Sequence, residues 1–278
     1  CSIDTAIRNL VVTGCNLSNI ALLDNFCWCS PEEPEKIYQL KEALKACYDL
    51  STKLRIPFIS GKDSMYNDFN GYDKKNRKVK ISIHPTLLIS SIGIIKNYND
   101  LLSIVPRKFG DLIFIIGKTD SEMCGSEYEK VFGYENGSIP KVDKDIAKRN
   151  YNNFIKANKK QLINSAISIG LGGAAVSLAK MSIASQMGLK IDLSNIQKTN
   201  RKIKSTHILF SESQSRIITT ISPSNRKEFE TYFEKTQLSF IGKVIKSKKI
   251  ICKLSRKEKF EINIKSLEDN YKKNLFSL

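Results

Sequence analysis

Pro57-Phe-Ile-Ser-Gly-Lys-Asp-Ser-Met-Tyr-Asn-Asp68 reads as an apolar strand over 57–60 that breaks into a glycine turn crowded with charge and hydroxyl. Backbone amides freed at such a turn, with Lys62, Asp63 and Ser64 beside them, make a seat for a phosphate and its metal. A companion lies upstream. Ile20-Ala-Leu-Leu-Asp-Asn-Phe-Cys-Trp28 is a second apolar run, interrupted by one carboxylate, Asp24. Between the two, apolar residues at 37, 40, 44, 47, 50 and 54 carry helical spacing, with Ser30 as the expected N-cap, Pro31 at the first position and Glu33 closing a capping box. Two strand ends bearing polar groups, joined through a helix, are a common build of α/β sites. The plain alternative for Gly61–Ser64 is a polar turn that merely caps the sheet.

Outward from this core, residues 2–13 read as a helix whose face is Ile3, Ala6, Ile7, Leu10 and Val11, stopped at Gly14. Residues 66–79 are a loop or hairpin tip, and Ile81 to Ile95 is strand broken by His84-Pro85. Asn97-Tyr-Asn-Asp and Pro106-Arg-Lys-Phe-Gly form a breaker-rich connector, which predicts a domain division into 1–98 and 99–278. Further on, the pattern predicts strand at 112–116, an amphipathic helix at 144–168, and an alanine-rich helix opened by Gly170-Leu-Gly-Gly173. A strand at 216–221, a polar helix at 224–235 and a strand at 239–244 follow. Helices and strands alternate in both halves, so the fold class is α/β (α+β).

The formal charge of +17 invites a nucleic-acid reading. Basic residues are spread along the chain and mixed with acids, and no aromatic residues interleave with the dense run Lys243–Lys259 as a stacking platform requires. No dedicated nucleic-acid binder is expected. No apolar run approaches a membrane span, so no membrane partner is expected either. Seven cysteines without a Cys-x-x-Cys pair, and only two histidines, point to ordinary buried thiols in a reduced, cytoplasmic protein. The first residues carry no signal peptide, and the missing initial Met suggests a sequence cut from something longer.

Three segments in order, Ile20–Trp28, Pro57–Asp68 and His84-Pro-Thr-Leu-Leu-Ile-Ser-Ser-Ile-Gly93, resemble the third quarter of the phosphoribosylformylglycinamidine synthase family, the amidotransferases of purine biosynthesis. Gly125-Ser-Glu-Tyr128, Gly172-Gly173 and Phe210-Ser-Glu-Ser-Gln-Ser-Arg216 resemble the last quarter. These later motifs are shared with aminoimidazole ribonucleotide synthase, selenophosphate synthetase and thiamine-phosphate kinase. The resemblance implies a second, partial N-lobe with a barrel-forming mixed sheet, plus a C-lobe α/β sandwich of the aminoimidazole ribonucleotide synthase-like fold.

It also implies a function: the C-terminal half of an ATP- and magnesium-dependent ligase, converting formylglycinamide ribonucleotide to formylglycinamidine ribonucleotide. Its partners would be the N-terminal half of the synthase, a glutaminase that supplies ammonia, and the ribonucleotide substrate. Carried over residue by residue, Asp24 and Gly61 would contact ATP and Ser64 the substrate. Lys62 replaces an asparagine that commonly reaches magnesium; it could bind phosphate as a point charge, while Asp63 and Asn9 are candidate metal ligands. Gly172, Gly173, Ser213 and Gln214 are possible phosphate contacts, against the simpler reading of Gly172-Gly173 as close packing of a helix start. The resemblance implies an auxiliary nucleotide site as well, but here it has lost its acids: Thr5 stands for a glutamate, and Ile167-Ser168 for a His-Asp pair. That site is therefore expected to be degenerate, with no catalytic residue in this half and a chain inactive alone. The alternative is a non-catalytic structural half packed against a catalytic partner.

Overall fold

Apolar residues at 3, 7 and 11 give helix α1 (Ser2–Val12) a buried stripe, and that stripe lies on the first of three sheets. A βαβ unit builds this sheet: β1 (Ile20–Cys27), α2 (Pro34–Leu54) and the parallel strand β2 (Phe58–Ser64). The computed structural model describes residues 1–133, 137–198 and 203–273. A hairpin of β3 (Asp68–Tyr72) and β4 (Lys78–Ser82) follows, pairing only with itself, and then β5 (Thr86–Gly93) returns antiparallel to β1.

The rest of the chain supplies β6 (Leu112–Ile116), α3 (Glu127–Phe132), α4 (Lys144–Lys159), β7 (Ile163–Ser168), α5 (Gly173–Ser185) and β8 (Gly188–Asp192). After these come α6 (Ser205–Phe210), β9 (Ile217–Ile221), α7 (Arg226–Thr231), β10 (Leu238–Ile245), β11 (Lys249–Lys253), β12 (Lys259–Asn263) and α8 (Ile264–Lys273). Seven strands join in the order β12-β11-β8-β10-β6-β9-β7, antiparallel except for the β8–β11 pair. The pleat sorts β6 between two cores: Ile113 and Ile115 pack with α5 and α6, while Phe114 and Ile116 pack with α4, α7 and the first sheet's helices.

The α/β class holds, but the barrel-forming sheet does not. Among the described residues the first sheet is open, ordered β2-β1-β5, with β2 and β5 at its edges, and the hairpin does not bridge them. Three strands leave no return path by which the hydrogen-bond ladder could close.

Other expectations shift for local reasons. Helix α2 starts at Pro34, not near Ser30. Had it begun at Pro31, Pro34 would lack the N–H owed to the Ser30 carbonyl and its ring would clash there, so Pro34 sits at the first position instead. Ile37 and Leu44, expected in the core, are exposed; only Cys47, Leu50 and Leu54 are buried on α2. The helix expected over 144–168 ends at Lys159, turns at Gln161 (φ 57°), and gives way to strand β7, buried from Ile163 to Ile167. The basic run 243–259 includes β11, where Ile250 and Cys252 point in and lysines point out. All seven thiols are free, and no helix among the described residues is long and apolar enough to cross a membrane.

A buried polar knot ties α1 to the seven-stranded sheet. Asp4 and Arg8, both fully buried, form an ion pair one helical turn apart. Asp4 also accepts from the Tyr151 hydroxyl on α4, from the Ser215 amide at 2.9 Å and from the Ser215 hydroxyl at 2.8 Å. Removing one member of such a pair strands the other charge away from water, a loss of about 3–5 kcal/mol. Asp4→Asn is expected to cost at least about 3 kcal/mol in urea unfolding, and Asp4→Asn combined with Arg8→Met to restore much of it. A double variant as unstable as the single one would show that geometry, not charge, is what Asp4 supplies.

Candidate functional site

The stretch 57–68 is not a turn at Gly61. Strand β2 runs through it to Ser64, in register with β1: Asp24 opposite Gly61, Asn25 opposite Lys62, Phe26 opposite Asp63 and Cys27 opposite Ser64. An irregularity between Leu22 and Leu23 lets Ile59 through unpaired and sets this register. The amides expected to be freed at a turn are therefore strand amides, and the site is an edge rather than a cradle.

Alternation then divides the motif between two faces. On β1, Leu22 and Phe26 are buried toward the helices, so Asp24 lies on that side, together with Gly61 and Asp63 across the ladder. Lys62 and Ser64 fall on the open side with Asn25 and, on β5, the exposed Leu88 and Ile92. Gly61 is required by contact, not by backbone freedom: a Cβ there would lie 2.6 Å from Asp24 Oδ1. The Asp24 carboxyl is held above the usual carboxylate range, first by burial and then by the like charge of Asp63, with a hydrogen bond from the Lys62 backbone opposing both. Asn67 Nδ2 donates to the Ser64 carbonyl at 2.6 Å and to its hydroxyl at 3.1 Å, which fixes the strand's end.

Two neighbouring carboxylates on one face fit a magnesium ion, which is commonly bound through one or two carboxylates, with phosphates and water completing its shell. Asp24 and Asp63 are the residues that would hold it. Among the described residues no group of three or more His, Cys, Asp or Glu side chains is placed to hold a metal ion.

The other candidates are engaged within the protein. Asn9 Oδ1 accepts from the Ser168 hydroxyl at 2.6 Å, and Thr5 Oγ1 lies 3.3 Å from Gln214 Oε1, so neutral hydrogen bonds join the positions where acids are missing. The Gly172 amide donates to Glu212 Oε1 at 2.9 Å, and the Glu127 amide at the start of α3 donates to the same oxygen at 2.9 Å. A buried side-chain carboxylate thus stands where a phosphate would meet these amides. Gly173 is packed against the chain end of α6, where a Cβ would approach Leu209 O to 2.6 Å. Ser213 Oγ receives the Asp120 amide at 3.0 Å, and Gln214 Nε2 donates to Glu212 O at 2.8 Å.

Arg216, which closes the Phe210–Arg216 motif but was given no role from the sequence, anchors this loop cluster. Fully buried, it donates to Ser213 O and to Thr119 Oγ1, each at 2.8 Å. Burial and the like charge of Arg8 push its pKa down, while Glu122, Asp120 and Glu212 oppose that shift. The Asp4–Arg8 pair was also missed; its only signal in the sequence is an opposite charge at i, i+4 beneath an apolar face.

Comparison with known proteins agrees with the motifs. The family described as "AIR synthase related protein, C-terminal domain" matches residues 108–255. Phosphoribosylformylglycinamidine synthase subunit PurL of Methanocaldococcus jannaschii is 31% identical over 269 residues, covering 96% of this chain and 35% of that protein. Among solved structures, Thermotoga maritima PurL complexed with FGAR superposes with a TM-score of 0.71 at 16% identity, over 96% of this chain and 42% of that one. The same protein complexed with ATP gives 0.69 at 16% identity, over 96% and 40%. The chain thus spans about a third of the length of the curated relatives it matches. The resemblance read from the sequence is borne out, and the structural matches establish the fold.

Gly61→Ala should cost about 1–3 kcal/mol from forced overpacking, and Asp24→Ala should remove most of that cost, giving a clear coupling energy in a double-mutant cycle. Additive effects would refute the contact. The raised Asp24 carboxyl keeps its proton to higher pH in the folded than in the unfolded chain. Its contribution to stability is therefore full below the unfolded pKa and lost as pH rises through the folded one. Asp63→Asn is expected to move the Asp24 titration, followed by carboxyl-carbon NMR, toward lower pH; an unmoved titration would leave burial as the sole cause.

Proposed function

This chain belongs to the AIR synthase related protein family, whose C-terminal domain it carries over residues 108–255, and from that premise we propose that it is the C-terminal half of a phosphoribosylformylglycinamidine synthase. In this reading ATP phosphorylates the amide oxygen of formylglycinamide ribonucleotide. Ammonia released by a glutaminase then attacks the activated carbon, and phosphate leaves. The observation that carries the reading is the register of Asp24 against Gly61, with Asp63 on the same face. A carboxylate that excludes every side chain but hydrogen from its partner position is a poor choice for a mere sheet cap. It is a good one for holding a cation beside an exposed backbone edge.

The division of labour follows from the pleat. Strand β2 is the edge of its sheet, so a ligand lying along it meets both faces. Asp24 and Asp63 would hold magnesium and through it the ATP phosphates, while the Gly61 backbone would meet the nucleotide. Lys62, exposed on the other face, would meet phosphate directly, and the Ser64 hydroxyl would meet the ribonucleotide substrate. The open face, with Leu88 and Ile92 exposed, is where the N-terminal half of the synthase would rest, in the same chain or another. The same reading divides the chain into an N-lobe-like part, 1–98, and a C-lobe-like part, 99–278, working in the cytoplasm.

A second reading, a structural half that binds no nucleotide, draws on the neutral Asn9–Ser168 and Thr5–Gln214 contacts. It applies to the auxiliary position and leaves the β2 edge untouched. Reconstitution separates the two. Combined with a first-half polypeptide and a glutaminase, the chain should restore ATP-dependent amidination of formylglycinamide ribonucleotide. Asp24→Ala should lower kcat/KM by about 100-fold, the usual scale for losing a charge-stabilising group, and Ser64→Ala should raise KM. Activity unchanged by both substitutions would establish the structural reading.

A further inference from the structure

A cavity of about 460 Å³ opens between the N-terminal half of α4, the loop after β6, the loop before β9 and the entry to β10. It is separate from the β2 edge, and its size suits a small-molecule ligand. Lys118, Asp120, Lys141, Asn150, Gln214 and Gln237 are among its walls.

Most polar groups there are already satisfied. Glu122 Oε1 accepts from the Lys141 amide at 2.8 Å, and Asp143 Oδ1 caps α4 by accepting from Asp145 and Ile146, each at 3.0 Å. Gln214 is bound on both ends, to Glu212 O and to Thr5 and Arg8. Against this background Asn150 stands out. It is 0% exposed, and neither its Nδ2 nor its Oδ1 has a hydrogen-bond partner among the described residues. Gln237 Oε1 is likewise buried and unpartnered. Folded proteins rarely leave such groups unpaired, and where they do the position commonly serves something other than stability. Two ammonium groups complete the set: Lys141, without an ion-pair partner among the described residues, and Lys118, whose nearest carboxylate is Asp120 at 3.8 Å.

The unmet chemistry is one amide donor, two carbonyl acceptors and one ammonium, that of Lys141, with Lys118 only loosely paired to Asp120. We infer that this cavity binds a small anion presenting an amide edge, an N–H beside a C=O, with the edge against Asn150 and Gln237 and the charge toward Lys118 and Lys141. An asparagine carboxamide pairs with such an edge through two parallel hydrogen bonds, as it does with nucleobase edges. Because Asn150 lies at the cavity floor, engaging it takes a rotamer change among the lining side chains, a kind of adjustment that binding commonly brings. A lactam nucleobase on a phosphate and an N-acylated amino acid share this chemistry.

Thermal unfolding of the full chain tests it with three probes: uridine monophosphate, N-acetylglycine and ribose 5-phosphate. At least one of the first two should raise the melting temperature, with an affinity about tenfold or more above that of ribose 5-phosphate; which one does so identifies the source of the amide edge. Without ligand, Asn150→Leu should melt no lower than the unsubstituted chain, since it removes an unpaired buried amide, yet the ligand-induced shift should vanish. Lys141→Ala, an exposed change, should keep the fold and weaken binding about tenfold. Equal response to ribose 5-phosphate, no response to either amide probe, or an undiminished shift in Asn150→Leu would each overturn the inference.

Discussion

Taking Asp4 and Arg8 out of water together costs several kcal/mol per ion before their attraction returns any of it, and the fold makes this tolerable by surrounding both with partners. Asp4 collects the Arg8 guanidinium, the Tyr151 hydroxyl and two donors from Ser215; Arg8 reaches Gln214 and Thr5 as well. Burial, and then the charge of Asp4, hold the Tyr151 phenol well above its usual pKa, so it remains a donor. Helix α1, helix α4 and the loop before β9 are thereby fixed in one arrangement. Through Arg216 the same loop holds the segment after β6. A helix that begins the chain is in this way locked to the end of the seven-stranded sheet, and the first sheet, packed on α1, is positioned with it.

That positioning gives the β2 edge its character. A parallel βαβ unit places β2 outermost, with one side of its ladder unpaired, and edge strands usually defend themselves with charge or irregularity. Here both occur: the irregularity at Leu22–Leu23, and Lys62 and Asp63 side by side on opposite faces. The same features suit ligand binding, because they keep the edge polar, twisted and open to solvent. Edge protection and the proposed nucleotide contact are therefore compatible uses of one strand, and Asp24 is the residue that exceeds the first of them. A charge needed only to deter edge pairing would not sit on the inner strand against a glycine.

Much of this was legible in the sequence. Regular spacing gave α1, β1, β6 and the approximate span of α2, because each pairs a clean apolar period with a capping or breaking residue. The errors have identifiable causes. Gly61 suggested a turn because a glycine among polar residues is the usual turn signal, whereas its smallness answers a contact from a strand thirty-seven residues away, which local reading cannot register. Ile163–Ser168 extended an apparent helix because a short buried strand and a helix segment share a continuous apolar composition. Ile37 and Leu44 looked like core because periodicity reports an apolar stripe but not what lies against it. The barrel expectation came from the resemblance alone; nothing in this chain's strand count supports closure. The candidate site residues are neighbours in sequence, but only the pleat shows that Asp63 joins Asp24 while Lys62 and Ser64 face away.

The two places where the sequence resembles a nucleotide site differ in a way that physics makes consequential. At the β2 edge two carboxylates face each other closely enough for one to disturb the other's titration, and like charges kept together at a partly exposed position are unfavourable until a cation joins them. At the α1–β7 junction the opposite holds: Asn9 with Ser168, and Thr5 with Gln214, satisfy one another without charge. Glu212 likewise neutralises the amides at Gly172 and Glu127 from within. A multiply charged phosphate–metal complex entering that junction would have to break these bonds and would find no carboxylate to balance its cation. The first location is left electrostatically incomplete by its own residues and the second is complete, which is why the proposed cation and its phosphates are assigned to β2 and not to the junction.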